Sequence, residues 1–230
     1  MREFEILIGL ENSDRLEGMD PLDSFRKMAE NGEVYSGILA HLEKMKELPS
    51  LRESLMNWIE RTPIMGSIYG SEGDEALVAA YIDAHLQAHK EVCDSASGSS
   101  EMMAERMMNV HEAAKSFLKP KGRVSRARAG LLFIESYREL PLLTWPRKLI
   151  DAIVELEESM VKWRHSHARM VERIMGRRIG TGGTSGVDYL DATSKYRVFK
   201  DLWSVRTILV KPQSRPELKG GEFYGYISTK

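Results

Sequence analysis

Residues 146–175 read PRKLIDAIVELEESMVKWRHSHARMVERIM. Leu149, Ile153, Leu156, Met160, Trp163, His167, Met170 and Ile174 recur along this stretch at steps of four and three. That period traces one face of an α-helix. Pro146 suits its first turn, where the missing N–H costs nothing. Glu155, Glu158, Lys162 and Arg169 occupy the opposite face, and Glu158 and Lys162 are spaced for an i,i+4 ion pair. The stripe is expected to be a single buried face, which makes this the central helix of the fold.

Working outward, most of the chain carries the same helical period, and no long alternating pattern appears. Only Glu3 to Leu10 looks strand-like. Asp20-Pro21 reads as an N-cap and first helical residue, opening a helix that Asn31-Gly32 ends. Further helices are expected over 34–48, 51–61, 74–93, 101–118 and 125–139, with a loop over 62–73. Residues 94–100, DSASGSS, have the composition of a flexible linker. Met102, Met103, Met107, Met108 and Val110 are expected core positions of helix 101–118. Short helical segments are expected over 187–207, and the Pro/Gly-rich tail from Lys211 reads as irregular. The fold class is therefore all-α: a helical bundle built as one domain over residues 1–230.

Composition narrows the function. With 33 Lys+Arg against 34 Asp+Glu in 230 residues, the chain lacks the basic surplus that nucleic-acid binding needs. No apolar run reaches the ~18 residues that read as a membrane span, and the N-terminus carries no secretion signal. One cysteine, Cys93, excludes an internal disulfide and a multi-cysteine zinc site. The expected location is the cytoplasm, with no nucleic-acid or membrane partner.

His167 is the sharpest chemical feature. A histidine within an apolar stripe is partly desolvated, which favours the neutral imidazole that ligates metals. The same position also fits a core histidine bonded to a carbonyl. His165 points elsewhere on the helix, so the two do not form an i,i+4 metal clamp. One histidine facing a cavity suits a metal that already has in-plane ligands, such as haem iron. The stretch GTGGTSG (residues 180–186) follows a helix rather than a strand, which counts against a dinucleotide-binding turn. It reads either as a surface linker or as a loop lying close over a ligand, with hydroxyls from Thr181, Thr184 and Ser185. His85 and His89 share one helix face at i and i+4; one core and one surface histidine is the plainer account. Arg123, Arg126 and Arg128 read as a solvated helix end, with anion capture as the alternative.

The order of these motifs resembles a known family. Ala129 to Pro141 (AGLLFIESYRELP), Lys162 to His167 (KWRHSH), Met170 to Gly176 (MVERIMG), the 180–186 loop, Tyr189-Leu190 and Tyr196 to Leu202 (YRVFKDL) are similar, in register, to the C-terminal half of the tryptophan 2,3-dioxygenases. The resemblance covers residues 123–212 and implies a mostly helical fold around haem b, with dioxygen or hydrogen peroxide as oxidant. It implies His167 as the proximal iron ligand, with Trp163 beside the haem. It also implies that Thr181 contacts the substrate's amino group, and that Gly180, Gly182, Gly183, Thr184 and Ser185 belong to a loop closing over the substrate. Residues 1–122 do not show the family's N-terminal motif of Phe, distal His and Glu-Leu-Trp, which leaves His85 and His89 as distal-base candidates. The implied activity is oxygen insertion into an aromatic ring, by dioxygenation of tryptophan or an indole or by a related monooxygenation. A haem-dependent tyrosine hydroxylase and a non-catalytic haem sensor or carrier are the alternatives. An aromatic small molecule and further copies of the chain are the implied partners.

Overall fold

The computed structural model describes residues 2–10, 32–98, 100–178 and 186–225. The helix expected from Asp20-Pro21 and the 180–185 part of the glycine-rich loop lie outside them. Among the described residues there are nine α-helices, four 3-10 turns and no strand, so the fold is all-α. None of these helices is long and apolar enough to cross a membrane. The chain divides into two compact units, residues 1–55 with 152–199 and residues 56–151 with 200–230.

The first unit holds α1 (Arg2–Ile8), α2 (Glu33–Met45), the start of α3 (Leu51–Glu60), most of α7 (Thr144–Met175) and α8 (Val187–Thr193). Here the strand expected at Glu3 to Leu10 is a helix. Apolar residues do alternate there, but within α1 the buried positions are Glu5 and Ile8, one turn apart, while Phe4 and Leu7 are exposed. With no neighbouring strand to take its hydrogen bonds, the segment satisfies its own backbone. Gly9 ends it with φ +91°, and a side chain there would meet Ser50 Oγ at 2.8 Å. α3 opens on a reciprocal cap: the Ser50 N–H donates to Glu53 Oε2 at 2.8 Å, and the Glu53 N–H donates back to Ser50 Oγ at 3.2 Å. These bonds hold the Glu53 carboxyl below its ordinary range.

The second unit holds the end of α3, α4 (Asp74–Ser97), α5 (Glu101–Leu118), α6 (Arg126–Ser136), the first turns of α7 and α9 (Lys200–Ser204). α4 and α5 pack as a helical hairpin. The expected linker at 94–100 is mostly helix, because the Ser95 and Ser97 hydroxyls bond back to Glu91 O and Cys93 O and leave the helical backbone intact. The methionine core of α5 is also corrected. Met102 is 78% and Met108 60% exposed, and the residues α5 buries are Ala114 and Leu118, nearer its C-terminus.

α6 is buried along most of its length, with Leu131, Leu132, Phe133 and Ile134 fully enclosed. Phe133 packs among Tyr81, Tyr137 and Tyr224 with ring centroids 4.7–5.5 Å apart. Two of the three hydroxyls reach across the unit: Tyr137 donates to Pro216 O at 2.5 Å and Tyr224 to Pro63 O at 3.0 Å. Gly130 lets α6 touch α3, since a Cβ there would lie 2.5 Å from Ile59 O. Of the three arginines expected as a solvated end, Arg123 is exposed, while Arg126 and Arg128 are paired instead. Arg126 forks onto Asp74 at 3.1 and 3.2 Å, and Arg128 onto Asp201 at 2.9 and 3.2 Å.

α7 matches its expected length, but its buried face is rotated from the expected stripe. Ile150, Ile153, Val154, Glu157, Met160, Arg164 and Ala168 are buried. Leu149 and Leu156 are half-buried, whereas Trp163, Met170 and Ile174 are 46%, 51% and 75% exposed. Two polar residues, Glu157 and Arg164, take the inward positions because each finds partners there, as a buried charge must.

Candidate functional site

His167 lies on the C-terminal half of α7, one turn after Trp163. The two rings stack with centroids 5.0 Å apart and planes 7° from parallel. His167 is half-buried rather than enclosed. No described residue forms a hydrogen bond with either of its ring nitrogens. A cavity of about 190 Å³ opens beside it, lined by Glu5, Trp163, Arg164, His167, Tyr189, Leu190 and Thr193, all from the first unit.

The walls of that cavity are fixed by buried polar contacts. Arg164 is 4% exposed; it donates to Tyr196 O at 3.3 Å and stands 3.5 Å from Glu5 Oε1. Its guanidinium lies 6.0 Å from the Tyr196 ring centre. Two turns earlier, Glu157 Oε1 accepts the N–H groups of Val198 and Phe199. Along α8, Arg169 pairs with Asp191, and Arg177 donates to Asp188 at 3.1 Å and to Glu172 at 3.2 Å. These pairs straddle the glycine-rich loop. Gly176, at φ +64°, closes α7 with its N–H on Glu172 O, and Gly186, at φ +60°, opens α8. Gly180, Thr181, Gly182, Gly183, Thr184 and Ser185 lie between them, outside the described residues.

His85 and His89 belong to the second unit, and both are buried. His85 Nε2 donates to Ile208 O at 2.9 Å, and burial pushes its pKa down to about 4, with the Ile208 bond opposing. His89 Nδ1 meets His111 Nδ1 at 3.3 Å and Cys93 Sγ at 3.6 Å, and burial, with His111 adding to it, lowers its pKa as well. Both rings are engaged within their unit, so the pair is two core histidines rather than the expected one core and one surface histidine. A larger cavity, about 1040 Å³, lies in the same unit between Tyr69, Asp74, Arg123 and Arg126. It contains no imidazole or thiol, so volume alone does not choose the site. Among the described residues no group of three or more His, Cys, Asp and Glu side chains is arranged to hold a bare metal ion.

Comparison with known proteins decides the family. The family model for tryptophan 2,3-dioxygenase matches residues 1–209. The chain belongs to the tryptophan 2,3-dioxygenase family. The match starts at the first residue, so it extends beyond the 123–212 stretch whose motifs carry the resemblance. A tryptophan 2,3-dioxygenase-like protein of Xanthomonas campestris pv. campestris is 36% identical over 99% of this chain and 90% of its own length. Tryptophan 2,3-dioxygenase 2 of Ralstonia nicotianae is 39% identical over 98% of this chain, and tryptophan 2,3-dioxygenase of Sorangium cellulosum 37% over 98%. The chain spans 66% and 59% of the length of those two relatives. The family consists of haem-dependent aromatic oxygenases, which places this chain among the haem-dependent oxidoreductases.

His167 and Trp163, both candidates from the sequence, stack on one another in the structure. Glu5, Arg164 and Tyr189, which share their cavity, are not among the sequence candidates. Arg164 stands out only in hindsight, as a charge on the inward face of an amphipathic helix. Glu5 was hidden in a segment read as a strand.

Proposed function

We propose that the chain inserts oxygen into the ring of an aromatic amino acid or indole, with His167 as the ligand to a haem iron. The observation that carries this reading is the presentation of His167. Its imidazole is half-buried on the longest helix and stacked on an indole, with both ring nitrogens left uncommitted by the described residues. Such a donor fits haem, because one imidazole completes an iron that brings its own in-plane nitrogens. The exposed Met170 and Ile174, on the same stripe, are apolar surface that a flat macrocycle would cover.

Haem b, when bound, supplies the activation of dioxygen or peroxide and the oxidation of the ring. The protein's part is to hold, orient and exclude. Stacking on Trp163 limits the ring rotation of His167. Glu5 and the Tyr196 carbonyl keep Arg164, and with it the floor of the cavity, in place. Thr181 orients the substrate's ammonium, and Gly180, Gly182 and Gly183 let the backbone approach the ring closely. Thr184 and Ser185 add hydroxyls to the same loop. The Arg177–Asp188 and Arg169–Asp191 pairs fix the helix that follows the loop, so the loop closes from an anchored end and expels water. His85 and His89 receive no proton-transfer role, since both rings are buried in the second unit and face its own groups.

Tryptophan, the amino acid in the relatives' names, is the first substrate to test, followed by tyrosine and simple indoles. Haemin-loaded protein is incubated with each, with dioxygen or with peroxide, and products are identified by mass spectrometry. A ring product carrying one or two added oxygen atoms is expected. Haem binding with no product from any substrate would leave a carrier or sensor and overturn the enzymatic reading.

A further inference from the structure

Three arginines of the second unit converge on one carboxylate where α7 begins. Arg138 Nη2 lies 3.6 Å from Asp151 Oδ1, Arg206 Nη2 lies 3.6 Å from the same oxygen, and Arg147 Nε lies 3.7 Å from Oδ2. Arg138 also stands 3.4 Å from Glu135 Oε2. All four distances exceed the ~2.7–2.9 Å of a charge-assisted hydrogen bond. Among the described residues the only hydrogen bond these guanidiniums make is a long one, from Arg147 Nη1 to Arg138 O at 3.5 Å. Among the described residues Glu135, whose side chain is 1% exposed, has its Oε1 buried without a hydrogen-bond partner, and so has Arg147 its Nε.

The imbalance is one of numbers and of field. Three guanidiniums offer roughly fifteen N–H donors, against four carboxylate oxygens. The five groups carry a net charge of +1, counted as three arginines less Asp151 and Glu135. Burial raises the Glu135 carboxyl, with Arg138 and Arg206 opposing, and any protonation there adds to the surplus. The cluster also sits at the positive end of the 32-residue α7, whose first turn contains no acidic residue. The three arginine side chains remain 39–46% exposed, so a solute can reach them.

We propose that Arg138, Arg147 and Arg206 form a binding site for a tetrahedral oxyanion, a phosphate or phosphate monoester, with Asp151 as the internal anion that stands in for it. A phosphate group offers several oxygens to three forked donors, which a single carboxylate cannot match. Asp151 is 37% exposed and can swing aside as the ligand enters. This assignment is independent of His167 and of haem.

The test is calorimetric titration of the purified full-length protein with inorganic phosphate, at ionic strength held constant with chloride. Saturable one-to-one binding is expected. Arg206→Gln should weaken it about tenfold or more, the loss of one charge-assisted contact. Asp151→Asn should tighten it, because the competing internal anion is gone. A purely structural ion cluster would give the opposite pattern, with no saturation in the parent and lower stability in Asp151→Asn. Arg147→Gln serves as the second variant should Arg206→Gln fail to fold by circular dichroism. Glycerol phosphate in a parallel arm separates the sources: binding as tight as that of phosphate points to a phosphorylated metabolite, and binding of inorganic phosphate alone to the free anion. Absence of saturable heat in the parent, or equal affinity in parent and both arginine variants, overturns the site.

Discussion

Replacing Glu157 by alanine tests whether the buried polar side of α7 holds the site together. The Glu157 side chain lies on the inward face with 1% of the residue exposed, and one of its oxygens accepts two backbone N–H groups, that of Phe199 at 3.0 Å and that of Val198. Alanine leaves both donors buried without an acceptor. A hydrogen bond to a charged group contributes about 1.5–3 kcal/mol, so two give roughly 3–6 kcal/mol. Water entering the vacated space would offset part of this, which puts the expected loss near 3–4 kcal/mol. Glu157→Gln keeps a neutral acceptor oxygen and should lose only about half as much. Urea unfolding at pH 7, extrapolated linearly to water, measures both. A loss below about 1 kcal/mol in Glu157→Ala, or an equal loss in the two variants, would refute the reasoning.

His85 should make stability depend on acidity. Its folded pKa, pushed down to about 4, lies below the ordinary 6.5, so the unfolded chain takes up a proton that the folded one refuses. This contribution is therefore intact above pH 6.5 and is lost as pH falls toward 4, by roughly 3 kcal/mol in all. Urea midpoints measured across that window should fall in the parent and fall less in His85→Gln; identical slopes would remove His85 as the cause. Gly130→Ala sets helix propensity, which favours alanine by about 1 kcal/mol, against a Cβ placed 2.5 Å from Ile59 O. A backbone carbonyl cannot move aside cheaply, so a net loss of about 1–2 kcal/mol and a lower Tm are expected; a Tm at or above the parent's would contradict it.

Much of this architecture was legible in the sequence because helices announce themselves by period and punctuation. Glu101 to Leu118 matched at both ends, framed by Ser100 and by Lys119-Pro120. The errors arose where local pattern and tertiary environment disagree. Phe4, Ile6, Ile8 and Leu10 alternate like a strand, yet a lone strand has no partner for its hydrogen bonds. Met102 and Met108 look like core by hydropathy alone, but which face of α5 meets α4 depends on packing that a single helix does not encode. On α7 the expected stripe joined the apolar residues, whereas the buried face includes Glu157 and Arg164, whose burial depends on partners distant in sequence. His167 stands out in the sequence because an imidazole within a charge-poor stripe is chemically unusual, and Trp163 only through the motifs shared with the family. Glu5 was not, since nothing local distinguishes a buried acid from a solvated one.

The central claim is that the His167 imidazole holds haem iron. Titrating the purified protein with haemin and recording the absorption spectrum tests it most directly, with His167→Ala and His165→Ala measured alongside. A saturating Soret band in the parent and in His165→Ala, shifted or lost in His167→Ala, is the predicted result. A parent that takes up no haemin, or a His167→Ala spectrum indistinguishable from the parent's, would contradict it.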